Sequence, residues 1–243
     1  MEFIKSQFSV TFDRKETIKR MANDIEDNFK AHFQNVQILP IPDEFAPDAP
    51  RVILASKHGH SQIALSQIAA VFNVQYDNNF FHDAQAVKDY IAERFEEVSN
   101  TLPRIGITSY LYSGVVHCLK LTEDNNPPVD TISKCVNPSV PAHEGDIYDA
   151  SWMRAVKFNN SFFINEQLGV IKKYERHGNT VPELEHFNDN KLLEEAMMLT
   201  IDTNNRARYL ESGTSYGVDD LISQFTDIYD IISGRIDAWG GIN

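Results

Sequence analysis

Alternating apolar and polar positions in the segment 51–76 predict strands with one buried face. Apolar side chains occupy every second position at Ile63 and Leu65 and again from Ile68 to Tyr76, which is the period of a strand whose successive side chains point to opposite faces. The triplet 58–60 predicts a tight turn before this run, and the alternation slips at 66–67, where a bulge or a second tight turn must lie if the apolar face is kept. The other face is polar, which favours a scaffold or a recognition surface over a catalytic motif; its residues are Gln62, Ser66, Gln67, Asn73 and Gln75.

Similar patterns predict strands elsewhere in the chain. They cover 3–12, 36–42, 105–112, 115–121, two or three short segments from Ser151 onward, and 197–201. The stretch 115–121 is either the continuation of 105–112 or its partner across a turn at 113–114. Turns at 159–160 and 166–169 separate the short segments that follow Ser151.

Apolar stripes at intervals of three and four residues predict helices over 14–33, 83–99 and 218–239, and a further helix is predicted over 191–196. The first helix is entered through Asp13, and Glu16 follows at the spacing of a capping box. Strands and helices are intermixed, and several strands are joined by short turns. The predicted fold is therefore α+β, with antiparallel or mixed sheets and helices packed mainly on one face.

A change in composition divides the chain in two. The stretch 122–146 holds four prolines and predicts a linker or a long excursion. The expected organisation is an N-terminal α+β half over 1–121, this proline-rich connection, and a C-terminal α+β half over 147–243, with one continuous domain as the alternative.

Composition narrows the class of partner. The net charge of −13, from 35 acidic and 22 basic residues, disfavours binding to nucleic acid, which needs clustered basic residues, and favours fast association with a basic partner. No run approaches the about 20 apolar residues that cross a bilayer, and no signal peptide pattern is visible, so neither a membrane nor export is expected. Cys118 and Cys135 are the only cysteines; free thiols and a cytoplasmic location are the prediction.

The layout of elements resembles that of a known protein family. The segments carrying the resemblance are RVILASKHGHSQIALSQIAAVFNVQYD, the helix after it, RIGITSYLYSG, and LTID at 199–202 before the final helix. They resemble a sporadically distributed, uncharacterised family of prokaryotic proteins of about this size. Because that family has no established reaction, the resemblance implies a prokaryotic cytosolic protein of mixed sheets and helices and no particular catalytic residue.

Two clusters could bind a metal. His58 and His60 form an H-x-H pair, but nothing near them in the sequence supplies further ligands. His143, Glu144 and Asp146, with Asp149, form the densest group of potential ligands and could hold a divalent cation. Acidic residues around a glycine are also ordinary turn material, and this second explanation is the preferred one.

Nucleophilic and phosphate-binding motifs are missing from the sequence. His117 and Cys118 are adjacent on a predicted strand, so their side chains point to opposite faces and cannot cooperate. No Gly-rich phosphate loop occurs. Arg206 and Arg208 could form a basic patch with 172–176 if the two segments were neighbours in a sheet, although two short solvent-facing strands explain them better.

These patterns identify no reaction, and they favour a non-enzymatic protein-interaction or scaffold protein that binds a protein partner or itself and needs no cofactor. An antitoxin, immunity or defence-accessory role in a prokaryote is the expected context. The alternative is a metal-dependent hydrolase or nuclease that uses the loop from His143 to Asp149. The candidate binding residues are aromatic, because aromatic side chains concentrate binding energy; they are Tyr112, Tyr148 and Trp152, with Tyr110 expected to cover a sheet face instead.

Overall fold

The computed structural model describes residues 1–121, 128, 132, 149–174 and 192–240. The strands are Glu2–Phe12 (β1), Phe33–Ile38 (β2), Val52–Ser56 (β3), Ser61–Leu65 (β4), Ala69–Gln75 (β5), Tyr110–Leu121 (β6), Ser151–Phe158 (β7), Phe162–Tyr174 (β8) and Leu192–Asn204 (β9). The helices in this part of the chain are Ala22–Phe29 (α1), Ala84–Thr101 (α2), Arg206–Ser212 (α3) and Val218–Gly240 (α4), with 3₁₀ turns at Ile18–Met21 and Leu102–Ile105.

The nine strands form one antiparallel sheet in the order β2-β3-β4-β5-β1-β6-β9-β8-β7. Each neighbouring pair is antiparallel, so the fold belongs to the α+β class, as predicted. The strands of the two predicted halves meet where β6 pairs with β9, from Gly114 opposite Asn204 to Leu121 opposite Met197. The strand order itself divides the sheet at a different place, between β1 and β6.

The two halves of the sheet repeat one arrangement. In the first half, the last strand of the meander β3-β4-β5 pairs with β1, and the chain then continues into α2. In the second half, the last strand of the meander β7-β8-β9 pairs with β6, and the chain then continues into α3 and α4. The pair β1–β6 therefore lies at the centre of an approximate twofold arrangement of strands.

Aromatic side chains join the sheet to the two long helices. Phe8 on β1 stacks on Phe72 of β5 with ring centroids 4.9 Å apart and meets Phe95 of α2 edge-on at 5.2 Å. Phe95 in turn stacks on Phe225 of α4 at 3.7 Å. All four rings are at most 5% exposed. Because Phe225 belongs to the second half of the chain and the other three rings to the first, the two halves share one hydrophobic core.

Local signals predicted several elements correctly. Residues 57–60 form the expected turn between β3 and β4, with Gly59 at a φ of 80° that favours glycine. The slip at 66–67 is a tight turn between β4 and β5, in which the Ser66 hydroxyl accepts from the Ala69 amide at 2.9 Å. The Asp83 side chain caps α2 by accepting from Ala86 N at 2.8 Å. The turn at 159–160, the continuous strand through 115–121 and the final helix are also confirmed.

Other predicted elements are wrong. The helix expected over 14–33 begins as a 3₁₀ turn at Ile18 and ends at Phe29, because Phe33 pairs with Ser56 as the start of β2. The strand expected from 105 begins only at Tyr110, since 102–105 form a 3₁₀ turn closed by Gly106 in the left-handed conformation.

Two errors concern the second half. Residues 192–196 belong to β9 rather than to a helix, and 166–169 lie inside β8 rather than in a turn. Both segments are paired along the same ladder, in which Gly169 lies opposite Met198 and Ala196 opposite Ile171.

Within the described part of the chain, no helix is both long and apolar enough to cross a membrane.

Candidate functional site

One face of the central strands carries several polar side chains, most of them uncharged. Gln62 on β4 lies opposite Asn73 on β5, and Asn73 lies opposite Gln7 on β1. The register places further residues on the same face, since directly opposed residues of antiparallel strands share a face. We call this set the polar face: Lys5, Gln7, Gln62, Asn73, Gln75, Cys118 and Thr200.

The sequence placed Gln62, Asn73 and Gln75 together on one strand face, and the structure confirms that prediction. Ser66 and Gln67 do not join them. Both are buried in the turn between β4 and β5, where the Gln67 amide donates to Asp43 O at 3.0 Å.

The polar face forms the floor of a cavity of about 810 Å³. Its lining comes from β1, β3, β4, β5, β6 and β9 and therefore spans the junction between the two halves of the sheet. Among the described residues that line it, Lys5 is the only lysine, arginine, aspartate or glutamate. The cavity is large enough for a small molecule or a short stretch of polypeptide, and its lining mixes polar and apolar side chains with little charge.

The amides of this cavity have no partners within the described chain. None of the side chains of Gln7, Gln62, Asn73 and Gln75 hydrogen-bonds another described residue, and each lines the cavity. By contrast, Asn165 on β8 donates to the Asp202 carboxylate at 2.9 Å. Each free amide presents two N–H donors and a carbonyl acceptor, so the row can bind a ligand that offers both donors and acceptors.

A second, smaller cavity of about 230 Å³ adjoins the first and shares His60, Val74 and Gln75 with it. Three aromatic rings, those of Tyr76, Phe80 and Tyr90, form much of its wall. His58, His60 and Asp77 complete the lining. We call this cavity the aromatic pocket.

The histidines of the aromatic pocket do not form a metal centre with other described residues. The His58 and His60 rings stack with centroids 5.7 Å apart, and no group of three His, Cys, Asp or Glu residues among the described residues could hold a metal ion. Burial, and then the neighbouring His60 and Arg94, lower the pKa of the His58 ring. His58 is instead used in a hydrogen bond between its Nε2 and the Tyr90 hydroxyl at 2.9 Å.

The two described members of the predicted aromatic binding set lie on opposite sides of the sheet. Tyr112 lies opposite Thr11 on the side of the polar face, with the Arg206 guanidinium 5.7 Å from its ring centroid. Trp152 lies opposite Leu168 on the other side of the sheet, 6.0 Å from the Trp239 ring. Tyr110 is fully buried, and its hydroxyl donates a hydrogen bond to Ile107 O at 2.9 Å. This burial agrees with the expectation that Tyr110 covers a sheet face.

The predicted metal-binding loop falls mostly outside the described residues. His143, Glu144 and Asp146, together with Tyr148, lie there. Asp149 is described and exposed, and its carboxylate accepts from the amide of Ala150 at 2.8 Å.

The predicted basic patch is not formed by the described residues. Lys172 and Lys173 lie on β8 opposite Glu195 and Glu194 near the start of β9, whereas Arg206 and Arg208 belong to α3 beyond the end of β9. The length of β9 thus separates the two pairs, and the prediction of a solvent-facing strand at 206–208 is wrong. Arg176 lies outside the described residues.

Sequence reasoning missed a buried carboxylate at Glu166. Its side chain is 1% exposed and accepts from Arg154 Nε at 2.9 Å, Arg235 Nε at 2.6 Å and Trp239 Nε1 at 3.2 Å. Burial alone would raise the pKa of this carboxyl, but the hydrogen bonds from Arg235, Arg154 and Trp239 outweigh it and lower that pKa. A signal was present, because Glu166 takes the apolar phase of β8 between Ile164 and Leu168.

His117 and Cys118 point to opposite faces of β6, as expected. His117 is completely buried, where its Nδ1 lies 2.5 Å from the Ser6 hydroxyl and its ring meets Tyr229 edge-on at 5.6 Å. Cys118 lies on the polar face with its sulfur 3.6 Å from the Thr200 hydroxyl. The two side chains therefore cannot act as a thiol and its base.

Two comparisons with known proteins found no relative of this chain. No family model matches it, and no curated protein is significantly similar to it.

Proposed function

We propose that this chain is a non-enzymatic binding protein that holds an extended segment of a protein partner on its polar face. The observation that carries the proposal is the row Gln62, Asn73 and Gln7, whose amides line a cavity without hydrogen-bonding any other described residue. Unpaired amides gathered in a concave site can hydrogen-bond a ligand that enters it.

The chemistry of an amide row suits a polypeptide backbone. An extended peptide offers N–H donors and C=O acceptors in alternation, and each Gln or Asn side chain can pair with both kinds of group. Neighbouring strands lie about 4.8 Å apart, so successive amides along the row can contact successive parts of one peptide.

The arrangement of the helices also supports an accessible polar face. Phe8, which stacks on Phe72, lies against Phe95 of α2 and Phe225 of α4, whereas Gln7 and Asn73 occupy the adjacent positions of the same strands. We infer that the helices pack mainly on the Phe8 side and leave the polar face free for a partner.

Charge disfavours nucleic acid as the ligand. A phosphate backbone is held chiefly by clustered lysine and arginine residues, but Lys5 is the only such residue among the described lining of the cavity. The chain as a whole has a net charge of −13. A protein partner with basic character therefore fits better than a polyanion.

Peptide selection tests the proposal. Peptides enriched on the immobilised chain from a random-peptide phage library would be measured by fluorescence anisotropy against the wild type and the double variant Gln62→Met/Asn73→Val. Both replacements suit a strand and remove two amides. Because each hydrogen bond contributes about 0.5–1.5 kcal/mol, affinity should fall about tenfold.

A matched control separates the polar face from the rest of the surface. Gln85 lies on α2, where its amide donates to Asp89 at 2.7 Å, and Gln85→Met should leave peptide affinity unchanged. Circular dichroism would verify that each variant is folded. The proposal is wrong if the double variant binds the selected peptides as tightly as the wild type, or if single-stranded oligonucleotides bind the polar face and displace them.

A further inference from the structure

The aromatic pocket has the composition of a site for an organic cation. The Phe80 ring lies 5.5 Å from Tyr76 and 5.8 Å from Tyr90, centroid to centroid, so that three rings enclose one side of the cavity. The faces of aromatic rings are electrically negative and attract cations within about 6 Å. A cavity of about 230 Å³ has room for one long side chain.

Charges around the pocket favour a positively charged ligand. Among the described residues that line the pocket, Asp77 is the only carboxylate, and its oxygens accept from Asn79 at 3.0 and 3.3 Å. Arg94 lies 5.5 Å from the Tyr90 ring centroid, but its guanidinium is paired with Glu93 at 2.6 Å and with Glu97. The positive charge of Arg94 is therefore already paired with two carboxylates.

His58 adds no fixed positive charge to this balance. The lowered pKa of the His58 ring, caused first by burial and then by His60 and Arg94, favours its neutral form at neutral pH. Its Nδ1 lies 3.3 Å from the Ser56 hydroxyl, and its Nε2 is engaged by the Tyr90 hydroxyl. This network holds the Tyr90 ring in place in the wall of the pocket.

We propose that the aromatic pocket binds the ammonium group of a lysine side chain in the polypeptide that occupies the polar face. The inference rests on the proposed function, because His60, Val74 and Gln75 line both cavities and a peptide on the polar face would reach the pocket directly. A lysine enters with its methylene chain against Phe80 and Val74 and its ammonium group near Asp77. The net charge of −13 favours such a basic anchor.

The probe for this inference is Nα-acetyl-lysine N-methylamide, compared with the neutral norleucine analogue of the same shape. Binding to the full chain would be followed by ¹H–¹⁵N NMR, using the backbone amide signals of 58–60, 74–80 and 90. The lysine probe should shift these signals and bind about fivefold tighter than the norleucine probe, since only the cation gains the aromatic attraction. Equal affinity of the two probes, or no shift with the lysine probe, overturns the inference.

Two variants and one control make the test specific. Phe80→Leu keeps an apolar side chain but removes a ring, and Asp77→Asn removes the carboxylate while keeping an oxygen that can accept from Asn79. Each should weaken the lysine probe about threefold or more. Phe45→Leu is the control, because Phe45 is 61% exposed and does not line the pocket. Unchanged lysine affinity in both pocket variants contradicts the inference.

The two proposals can fail independently. The lysine probe needs none of the amides removed in Gln62→Met/Asn73→Val, so this variant should still bind it. If selected peptides depend on those amides but the lysine probe does not bind, the proposed function stands and the lysine site is wrong. If the lysine probe binds and no peptide depends on the amides, the pocket stands and the polar-face proposal is wrong.

Discussion

Replacing Glu166 with glutamine should destabilise the chain by about 3 kcal/mol, because the variant leaves two guanidinium groups without their shared carboxylate. Removing one partner of a buried ion pair typically costs about 3–5 kcal/mol. Glu166 is 1% exposed, but Arg154 and Arg235 are 45% and 33% exposed, so water partly compensates their charges and the lower end of that range applies. For a chain of this size the melting temperature should fall by about 6–12 °C.

Urea unfolding followed by tryptophan fluorescence measures this effect directly. The chain has two tryptophans, and Trp152 and Trp239 lie 6.0 Å apart beside Glu166. Far-UV circular dichroism should give the same midpoint if unfolding is cooperative. Glu211→Gln is the matched control: Glu211 is 52% exposed and paired with Lys157, so its replacement should cost about 0–1 kcal/mol.

The pH dependence gives a second and independent check. Because hydrogen bonds lower the pKa of the Glu166 carboxyl below its ordinary 4.5, its stabilising contribution is complete above that value and is lost as the pH falls through the folded-state pKa. The stability gap between wild type and Glu166→Gln should therefore be constant from neutral pH to about pH 5 and narrow below it. The reasoning is refuted if Glu166→Gln costs no more than Glu211→Gln, or if the gap widens in acid.

Three further predictions concern the core and the sheet. Burial lowers the pKa of the His117 ring to about 3, so in mild acid the unfolded chain binds a proton that the folded chain excludes. Below about pH 6 the wild type should therefore lose up to about 1.4 kcal/mol of stability per pH unit through this residue, whereas His117→Gln should not show this loss. Urea unfolding of both proteins at pH 6, 5 and 4 measures the difference. Gly114→Ala places a Cβ 2.7 Å from the Cβ of Asn204 and should destabilise the chain by about 1–3 kcal/mol. In the control Gly169→Ala the new Cβ meets nothing within 4 Å, so this variant should be as stable as the wild type or more stable. Equal melting temperatures for the two variants would contradict this prediction. Phe225→Ala removes the ring stacked on Phe95 at 3.7 Å and should cost about 3–5 kcal/mol; a single transition shared by both halves is expected, and two separate transitions would show that the halves unfold independently.

The aromatic and amide sites differ in how far sequence could predict them. The shared face of Gln62, Asn73 and Gln75 follows from the period of two residues along one segment. Gln7 lies more than fifty residues away, and only the register of β1 against β5 places it opposite Asn73. The aromatic pocket needs Tyr90 of α2 to meet the loop at 76–80, which no local pattern encodes.

Local propensity misled the prediction where tertiary pairing opposed it. Residues 192–196 are rich in leucine, glutamate and alanine, which favour helices, yet they extend β9 because β8 offers a long antiparallel partner. The sequence predicted a turn at 166–169, but Glu166 occupies a buried strand position, where an acidic residue is unusual. Its partners Arg235 and Trp239 lie 69 and 73 residues further along the chain.

The sequence by itself determined which face of the strands between 61 and 76 is buried, that turns lie at 58–60 and 159–160 with a break at 66–67, and where the last helix forms. Side-chain periodicity and turn chemistry act over a few residues, so these features are local. Only the tertiary structure decided that β1 and β6 join two similar halves, that amides from three strands line one cavity, and that Glu166 is buried between two arginines. These features depend on which strands become neighbours and in what register, and that choice is made by the packing of the whole core.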